Sequence, residues 1–147
     1  MERTYSQEQT VEIAQLILTT TRKEENRATV IALVGDLGAG KTTLTQSIAT
    51  LLGVREHVVS PTFVIGKFYE AKEYGFTRLV HIDAYRIESI KELIPLRWEE
   101  ILEDSNALVI VEWPERINKA IPFHTHWYCI SHSENTRTIK PYHENKN

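Results

Sequence analysis

Runs of consecutive apolar residues alternate along this chain with stretches in which an apolar side chain recurs every three or four positions. Residues 29–34, 79–83 and 108–112 are such runs and are rich in aliphatic side chains, which is typical of strands buried on both faces of a sheet. After the first run, helical spacing is carried by Leu44, Ile48, Leu51 and Leu52. Strands interleaved with helices predict a single-domain α/β fold with a mainly parallel sheet flanked by helices.

The two ends of the chain are expected to add a helix and a hairpin. A capping-box pattern at residues 6–9 precedes apolar residues with roughly helical spacing, namely Val11, Ala14, Leu16, Ile17 and Leu18. Residues 127–132 and 136–142 predict the antiparallel strands of a terminal hairpin. We expect the domain to span residues 1–142 and the polar tail 143–147 to be frayed.

Two prolines predict breaks in the middle of the chain. Pro61 interrupts the apolar run 58–65, which favours an edge strand or a loop over a central strand because proline has no N–H for the ladder. Pro95 is expected to separate two short helices, at about 89–94 and 96–103.

The loop between the first predicted strand and the helix after it carries a phosphate-binding motif. Gly35 to Thr42 fit the pattern G-x-x-x-x-G-K-S/T without a substitution. A strand that turns sharply into a helix aims backbone N–H groups and the positive helix end at one point, which suits a phosphate chain. Lys41 is expected to reach the β and γ phosphates, and the Thr42 hydroxyl to ligate Mg²⁺. The residues predicted to bind the nucleotide here are Gly35, Asp36, Leu37, Gly38, Ala39, Gly40, Lys41, Thr42 and Thr43.

Two of the predicted strands end in an acid, Asp83 and Glu112. In open α/β sheets the ligand lies at the carboxyl ends of the strands, where a Mg²⁺ held by Thr42 needs further oxygen ligands. Asp83 is the better candidate for the Walker B acid, whereas Glu112 is expected to polarise an attacking water or to add to the metal shell. The alternative for each is a solvated acid at a strand end. With Lys41, these acids form the predicted catalytic set, and with Thr42 the predicted metal ligands.

Two further positions are expected near the nucleotide. Residues 60–63 resemble a switch loop, in which the Thr62 hydroxyl contacts Mg²⁺ and the γ-phosphate. The alternative for Thr62, equally favoured, is a strand residue beside a kink. Trp113 follows Glu112 directly and is expected in the core, with its ring close enough to report on a bound nucleotide.

The base is predicted to be adenine rather than guanine. Guanine recognition in common GTPases uses N-K-x-D, but residues 118–121 read Asn-Lys-Ala-Ile, and Arg86 stands where the D-x-x-G switch needs glycine. Arg86 and Arg116 are candidates for an arginine finger, although a surface ion pair is the favoured alternative for both.

Composition limits the binding partners and the cellular compartment that are expected for the protein. The chain has 147 residues and a formal net charge of −3, which argues against general attraction to nucleic acid or a membrane. The single Cys129 cannot form an internal disulfide and is expected to be a buried thiol in a reducing compartment. No apolar stretch approaches the ~20 residues of a membrane span, and the N-terminal residues lack the apolar core of a signal peptide. A cytoplasmic protein is expected.

Four sequence blocks occur in the order found in one known family. They are Gly-Asp-Leu-Gly-Ala-Gly-Lys-Thr-Thr (35–43), Ser-Pro-Thr-Phe (60–63), His-Ile-Asp-Ala-Tyr-Arg (81–86) and Val-Glu-Trp-Pro-Glu (111–115). The set resembles the bacterial TsaE (formerly YjeE) family and covers nearly the whole chain. The resemblance implies a P-loop ATPase that binds ATP and Mg²⁺ and works with the TsaB–TsaD pair. That assembly threonylcarbamoylates N6 of adenosine 37 in tRNAs reading ANN codons.

The resemblance also implies roles for individual residues. Thr42 and Glu112 would serve the Mg²⁺, and Asp83 would be the Walker B-like acid. Thr10 and Arg137 resemble positions near the nucleotide in this family. Asp-Ala-Tyr-Arg-Ile replaces the more usual Asp-Leu-Tyr-Arg-Leu, and residues 93–98 replace a glycine-containing segment between two short helices, which puts the local helix geometry in doubt.

Two other functions stay open at this point. A small-molecule kinase would use Asp83 or Glu112 as the base for an acceptor hydroxyl. A nucleotide-gated binding module would need ATP binding, not hydrolysis, to order residues 60–63 for docking. An ATPase acting on a partner assembly is favoured because 147 residues leave no room for a second substrate domain. Contact with tRNA is expected to be indirect or weak.

Overall fold

The computed structural model describes residues 1–61 and 64–142 of the chain. The strands in these ranges are β1 (Arg3–Tyr5), β2 (Thr29–Val34), β3 (Gly66–Glu70), β4 (Arg78–Asp83), β5 (Ala107–Glu112), β6 (His126–Ser133) and β7 (Thr136–Pro141). The α-helices are α1 (Thr10–Thr20), α2 (Lys41–Leu51) and α3 (Trp98–Glu103). Shorter 3₁₀ segments are formed by Gln7–Gln9, Ile90–Leu96 and Pro114–Ala120.

The described strands form one sheet with the order β1-β7-β6-β2-β5-β4-β3. β2 lies in its centre and runs parallel to both β5 and β6, and β4 runs parallel to β5. Antiparallel pairs follow towards the two edges, β3 on β4 at one side and β7 on β6, then β1 on β7, at the other. The parallel arrangement is therefore confirmed for the four central strands, while the sheet as a whole is mixed.

Each face of the sheet is covered by its own hydrophobic cluster. Ile31 of β2 packs in the cluster that contains the buried residues of α1 and α2. Val30, the preceding residue, points to the opposite face and packs with α3 and the 3₁₀ segments. Because β2, β4 and β5 are buried on both faces, their side chains are apolar at successive positions. This explains why the three runs in the sequence predicted these strands.

The predicted strands and the C-terminal hairpin are confirmed, and the structure adds elements that the pattern does not indicate. β1 is three residues long and pairs with β7, more than 130 positions away in the chain, so no local signal marks it. Pro114–Ala120 forms a 3₁₀ segment that was not predicted. On α1, the predicted core position Val11 is 51% exposed, whereas the core side of the helix is formed by Ile13, Ala14, Ile17 and Leu18.

The break between the two short helices lies at Arg97 and not at Pro95. Pro95 is contained within the 3₁₀ segment Ile90–Leu96. Arg97 adopts a left-handed conformation, with φ 58° and ψ 51°, and α3 begins at the next residue. Since glycine takes this conformation without a steric cost, the arginine stands at a backbone position that favours glycine.

We expect Arg97→Gly to be more stable than Arg97→Ala by about 1 kcal/mol, because alanine keeps the left-handed strain that glycine relieves. The Arg97–Glu100 ion pair spans 3.6 Å, with side chains 76% and 67% exposed, so it contributes little. Both variants lose it, and their difference reports the backbone alone. Urea unfolding measures the free energies, and an alanine variant as stable as the glycine variant would contradict the assignment of strain.

The expectation of a buried Cys129 is wrong, because this thiol is partly exposed. It points to the opposite face of β6 from the buried Tyr128 and Ile130, and Trp127 on that same face is also only partly buried. Of the tryptophans, Trp98 is a core residue whose indole N–H donates to the Ala120 carbonyl at 3.0 Å. The predicted tail, residues 143–147, lies outside the described residues. Within the described ranges, none of the helices has the length and apolar character needed to cross a membrane.

Candidate functional site

The loop from β2 to α2 has the backbone that its glycines predict. Gly38 and Gly40 have φ values of +78° and +103°, and α2 begins directly after Gly40. A Cβ at Gly35 would collide with the main-chain oxygen of Ile130 in β6. Glycine is therefore required at Gly35 by the neighbouring strand and at Gly40 by the turn into the helix.

Lys41 folds back over the loop that precedes it. Its Nζ donates to the carbonyl oxygens of Gly35 and, at 2.9 Å, of Asp36, and lies 4.4 Å from the centroid of the Trp113 ring. Only 5% of the residue is exposed. Burial lowers the pKa of Lys41, against the opposing effect of the nearby acids Glu112, Glu115, Asp83 and Asp36. A cation is thus held at the loop by carbonyl oxygens.

Glu112 lies at the end of β5 with its carboxylate against the start of α2. The Thr42 hydroxyl donates to it, with Oγ1 3.0 Å from Oε1 and 3.3 Å from Oε2. On its other side, Oε2 forms a short hydrogen bond with Nε2 of His81 on β4. Glu112 is 3% exposed and His81 is fully buried. The carboxylate is therefore a buried group with fixed partners, which excludes the alternative of a solvated acid at this strand end.

Asp83 lies beside Glu112 in the β4–β5 register but has different partners. Its Oδ2 accepts from the Ser60 hydroxyl at 3.1 Å, and its Oδ1 accepts from the Tyr85 N–H at 3.0 Å. Thr42 thus contacts Glu112 and not the residue that the sequence favoured as the Walker B acid. Ser60 does reach the site, while the predicted contact of Thr62 lies outside the described residues, as does Phe63.

These groups meet in a cleft of about 220 Å³ above the loop. Its lining consists of Leu37, Gly38, Ala39, Gly40, Lys41, Thr42, Thr43, Ser60, Asp83, Glu112, Trp113 and Arg137. A second cavity of about 480 Å³ adjoins it and shares Leu37, Ser60, Asp83 and Trp113 with it. Most of the predicted binding residues are therefore brought together at one edge of the sheet. Gly35 and Asp36 are outside this lining, but their carbonyls accept hydrogen bonds from Lys41, which belongs to it.

Trp113 forms a wall shared by both cavities. Its backbone is left-handed, with φ 57°, which turns the chain sharply at the end of β5. The indole packs on Tyr85 with ring centroids 4.9 Å apart, and the Arg116 guanidinium lies 5.9 Å from the Tyr85 ring. Strained backbone of this kind persists where surrounding contacts over-determine it. Here those contacts hold the indole against the Lys41 ammonium.

Arg137 and Thr10, which were expected near the nucleotide, differ in position. Arg137 of β7 reaches the loop, since a Cβ at Gly40 would lie 2.8 Å from its Nε, and that Nε is buried without a hydrogen bond among the described residues. Thr10 starts α1, and its hydroxyl donates to the Gln7 carbonyl at 2.6 Å. It does not line the cleft, so its contact with a nucleotide stays a prediction.

His81 was not predicted to have a role at the site. The signal for it was present, because a histidine interrupts an otherwise apolar run of residues 79–82. No group of three or more His, Cys, Asp and Glu side chains in the described ranges is arranged to hold a metal ion by itself. The Thr42 hydroxyl and the Glu112 carboxylate both line the cleft and are hydrogen-bonded to each other.

A glycine-rich loop joining a central parallel strand to a helix that starts with Lys-Thr defines the class of P-loop NTPase-like α/β proteins. Comparison with known families narrows this class. The model of the family described as "Threonylcarbamoyl adenosine biosynthesis protein TsaE" matches residues 4–139. The chain therefore belongs to the TsaE family, and the resemblance found in the sequence is confirmed.

Individual relatives agree with this assignment. The chain is 45% identical over 87 residues to a Streptomyces coelicolor protein named tRNA threonylcarbamoyladenosine biosynthesis protein TsaE, covering 58% of this chain and 57% of that protein. It is 38% identical over 120 residues to the Bacillus subtilis protein of the same name, covering 82% and 70%. The crystal structure of Bacillus subtilis YdiB superimposes with a TM-score of 0.68 at 27% identity, covering 95% of this chain and 82% of that one. The match thus spans little more than half of the Streptomyces relative.

Proposed function

We propose that this protein binds and hydrolyses ATP in support of tRNA threonylcarbamoyladenosine synthesis. Its partners in this proposal are the TsaB–TsaD pair, which modify N6 of adenosine 37 in ANN-decoding tRNAs, and tRNA itself is contacted indirectly or weakly. The protein would act in the cytoplasm. Family membership supports the pathway. The observation that supports ATP hydrolysis is the hydrogen bond from the Thr42 hydroxyl to the buried Glu112 carboxylate. It lies beside a loop that matches the phosphate-binding motif at every position.

In this proposal Lys41 changes partners when the nucleotide binds. Its ammonium now rests on the carbonyls of Gly35 and Asp36, and it would turn to the β and γ phosphates. The N–H groups at the start of α2 would cradle the same phosphates. Arg137, whose buried Nε has no hydrogen bond among the described residues, would supply a second cation to this group. The loop, Lys41 and Arg137 thereby form the binding half of the site.

The oxygen donors of Thr42 and Glu112 fit a magnesium ion, since Mg²⁺ prefers hydroxyl and carboxylate oxygens. When bound, Mg²⁺ would neutralise charge that develops on the phosphates. Thr42 and Glu112 would hold it, with Asp83 at the neighbouring strand end. Glu112 would also orient the attacking water, because its carboxylate is the one that faces the start of α2.

Hydrolysis by the isolated chain is expected to be slow. Among the described arginines, Arg137 lines the cleft, but it is assigned above to the binding of the phosphates. Arg86 lines the adjoining cavity and Arg116 lies over Tyr85, so neither is placed in the cleft as a transition-state arginine. A transition-state arginine supplied by a partner is worth about 10³–10⁵ in rate in related phosphoryl transfers. The partner complex would therefore complete the site.

The test is ATP hydrolysis by the purified protein, alone and with TsaB–TsaD and tRNA. A low rate that rises with the partners is the expected result, with GTP as the control for base preference. A rate indifferent to the partners, together with a phosphorylated small molecule, would indicate a kinase instead. Partner docking with a non-hydrolysable analogue and full tRNA modification without hydrolysis would indicate the nucleotide-gated module.

A further inference from the structure

His81 occupies a position on β4 where an apolar side chain would otherwise complete the core. Its neighbours along the strand, Val80 and Ile82, are fully buried, and so is Leu79, which points to the same face two positions away. The strand thus places an imidazole inside the hydrophobic layer under α2. A buried polar group destabilises the fold unless it is hydrogen-bonded, so the hydrogen-bond partner that His81 has among the described residues defines what it does.

That partner is Glu112, and Nε2 is the ring nitrogen that lies against its carboxylate. Nε2 faces Oε2 of the carboxylate, while Nδ1 is buried and has no partner among the described residues. An ionised carboxylate only accepts hydrogen bonds. With Glu112 ionised, Nε2–H is therefore the hydrogen-bond donor and Oε2 the acceptor.

We propose that His81 is a positioning residue for Glu112. The hydrogen bond from Nε2 holds Oε2, and the Thr42 hydroxyl approaches closest to Oε1 at 3.0 Å. The two oxygens thereby have separate partners on β4 and α2, which fixes the rotation of the carboxylate at the cleft. The inference rests on the hydrolytic role proposed above for Glu112. Groups that orient the ligands of a reacting centre change its activity by about 10- to 100-fold.

The simpler reading is a core histidine that serves folding alone, and matched variants separate the two. Glutamine carries its amide nitrogen three bonds from Cβ, as histidine carries Nε2, whereas the asparagine amide is one bond shorter and matches Nδ1. His81→Gln and His81→Asn place a polar amide at the same buried site, but the glutamine amide is the one that reaches Oε2. His81→Leu removes the hydrogen-bond donor and fills its place in the core with an apolar side chain.

The experiment measures single-turnover hydrolysis of radiolabelled ATP with excess enzyme, in the presence of TsaB–TsaD and tRNA, and separately measures ATP affinity and urea unfolding. His81→Leu and His81→Asn are expected to lose about 10- to 100-fold in rate with ATP affinity preserved. His81→Gln should retain a rate near that of the wild type. In a Glu112→Gln background, His81→Leu should cause no further loss, because the residue acts through Glu112.

Each outcome bears on the proposal. Wild-type rates for folded His81→Leu, or equal losses in the Gln and Asn variants, would overturn it. A further loss in the Glu112→Gln background would overturn it as well, since His81 would then act independently. If His81→Leu does not fold, the hydrolysis rates of His81→Gln and His81→Asn still test the positioning role. Full hydrolysis by Glu112→Gln alone would instead overturn the proposed role of Glu112, and the positioning role with it.

Discussion

Replacing Lys41 by alanine is expected to weaken ATP binding by at least about 25-fold, because removing one partner of a buried, hydrogen-bonded charge pair costs about 2–5 kcal/mol. Lys41 is 5% exposed and is held at the loop by two carbonyl oxygens and the Trp113 ring. Alanine removes the ammonium that would move from these partners to the phosphates. The rest of the loop backbone stays in place.

The affinity is measured by calorimetry with a non-hydrolysable ATP analogue. Lys119→Ala is the matched control, since it removes the same charge from an exposed position in the 3₁₀ segment Pro114–Ala120 and should leave the affinity unchanged. Thermal unfolding without nucleotide tests whether the variant is folded. Retained affinity in folded Lys41→Ala would refute the assignment of the loop as the phosphate site.

Glu112→Gln is expected to reduce partner-stimulated hydrolysis by about 10²- to 10⁴-fold, the range found for removal of a group that moves or orients the reacting proton. Nucleotide affinity should change far less. Glutamine keeps the size of the side chain and an acceptor for the Thr42 hydroxyl, so α2 and the loop are expected to keep their positions. What is lost is the negative charge at the carboxyl end of β5.

Hydrolysis and affinity are measured on the same preparation, with Glu103→Gln as control because Glu103 is exposed at the end of α3. Asp83→Asn provides the second comparison. Its oxygens accept from Ser60 and from the Tyr85 N–H, so we expect a smaller loss of turnover than for Glu112→Gln. Unchanged turnover in Glu112→Gln would remove its catalytic role, and a larger loss in Asp83→Asn would return the leading role to Asp83.

Local patterns predicted the central layer of the fold because its causes are local. Residues 30–34 and 108–111 are apolar at successive positions, and residues 79–82 are so apart from His81, because both faces of β2, β4 and β5 are covered. The glycine positions of the loop were readable for the same reason, because the turn into α2 requires positive φ at Gly38 and Gly40. Lys41 was readable from its fixed spacing to these glycines in the motif. β1 escaped prediction because its pairing with β7 joins the two ends of the chain.

Arg97 shows how a strong local rule can mislead. Proline was expected to end the helix before α3, but Pro95 is accommodated inside the tighter 3₁₀ segment and the break falls two residues later. The residue at that break is an arginine with positive φ. Arg97 therefore adopts a backbone conformation that its own residue type does not favour.

The sequence by itself determined the α/β class, the glycine-rich loop that leads into Lys41 and Thr42, and the family, since these depend on residue types at fixed spacing. The tertiary structure decided which groups meet. Parallel pairing of β4 with β5 places His81 within hydrogen-bonding distance of Glu112, and α2 places Thr42 on the same carboxylate. The antiparallel β7 carries Arg137 back to Gly40. Such contacts join residues 31 to 97 positions apart, and only strand order and register bring them together, because no local pattern encodes them.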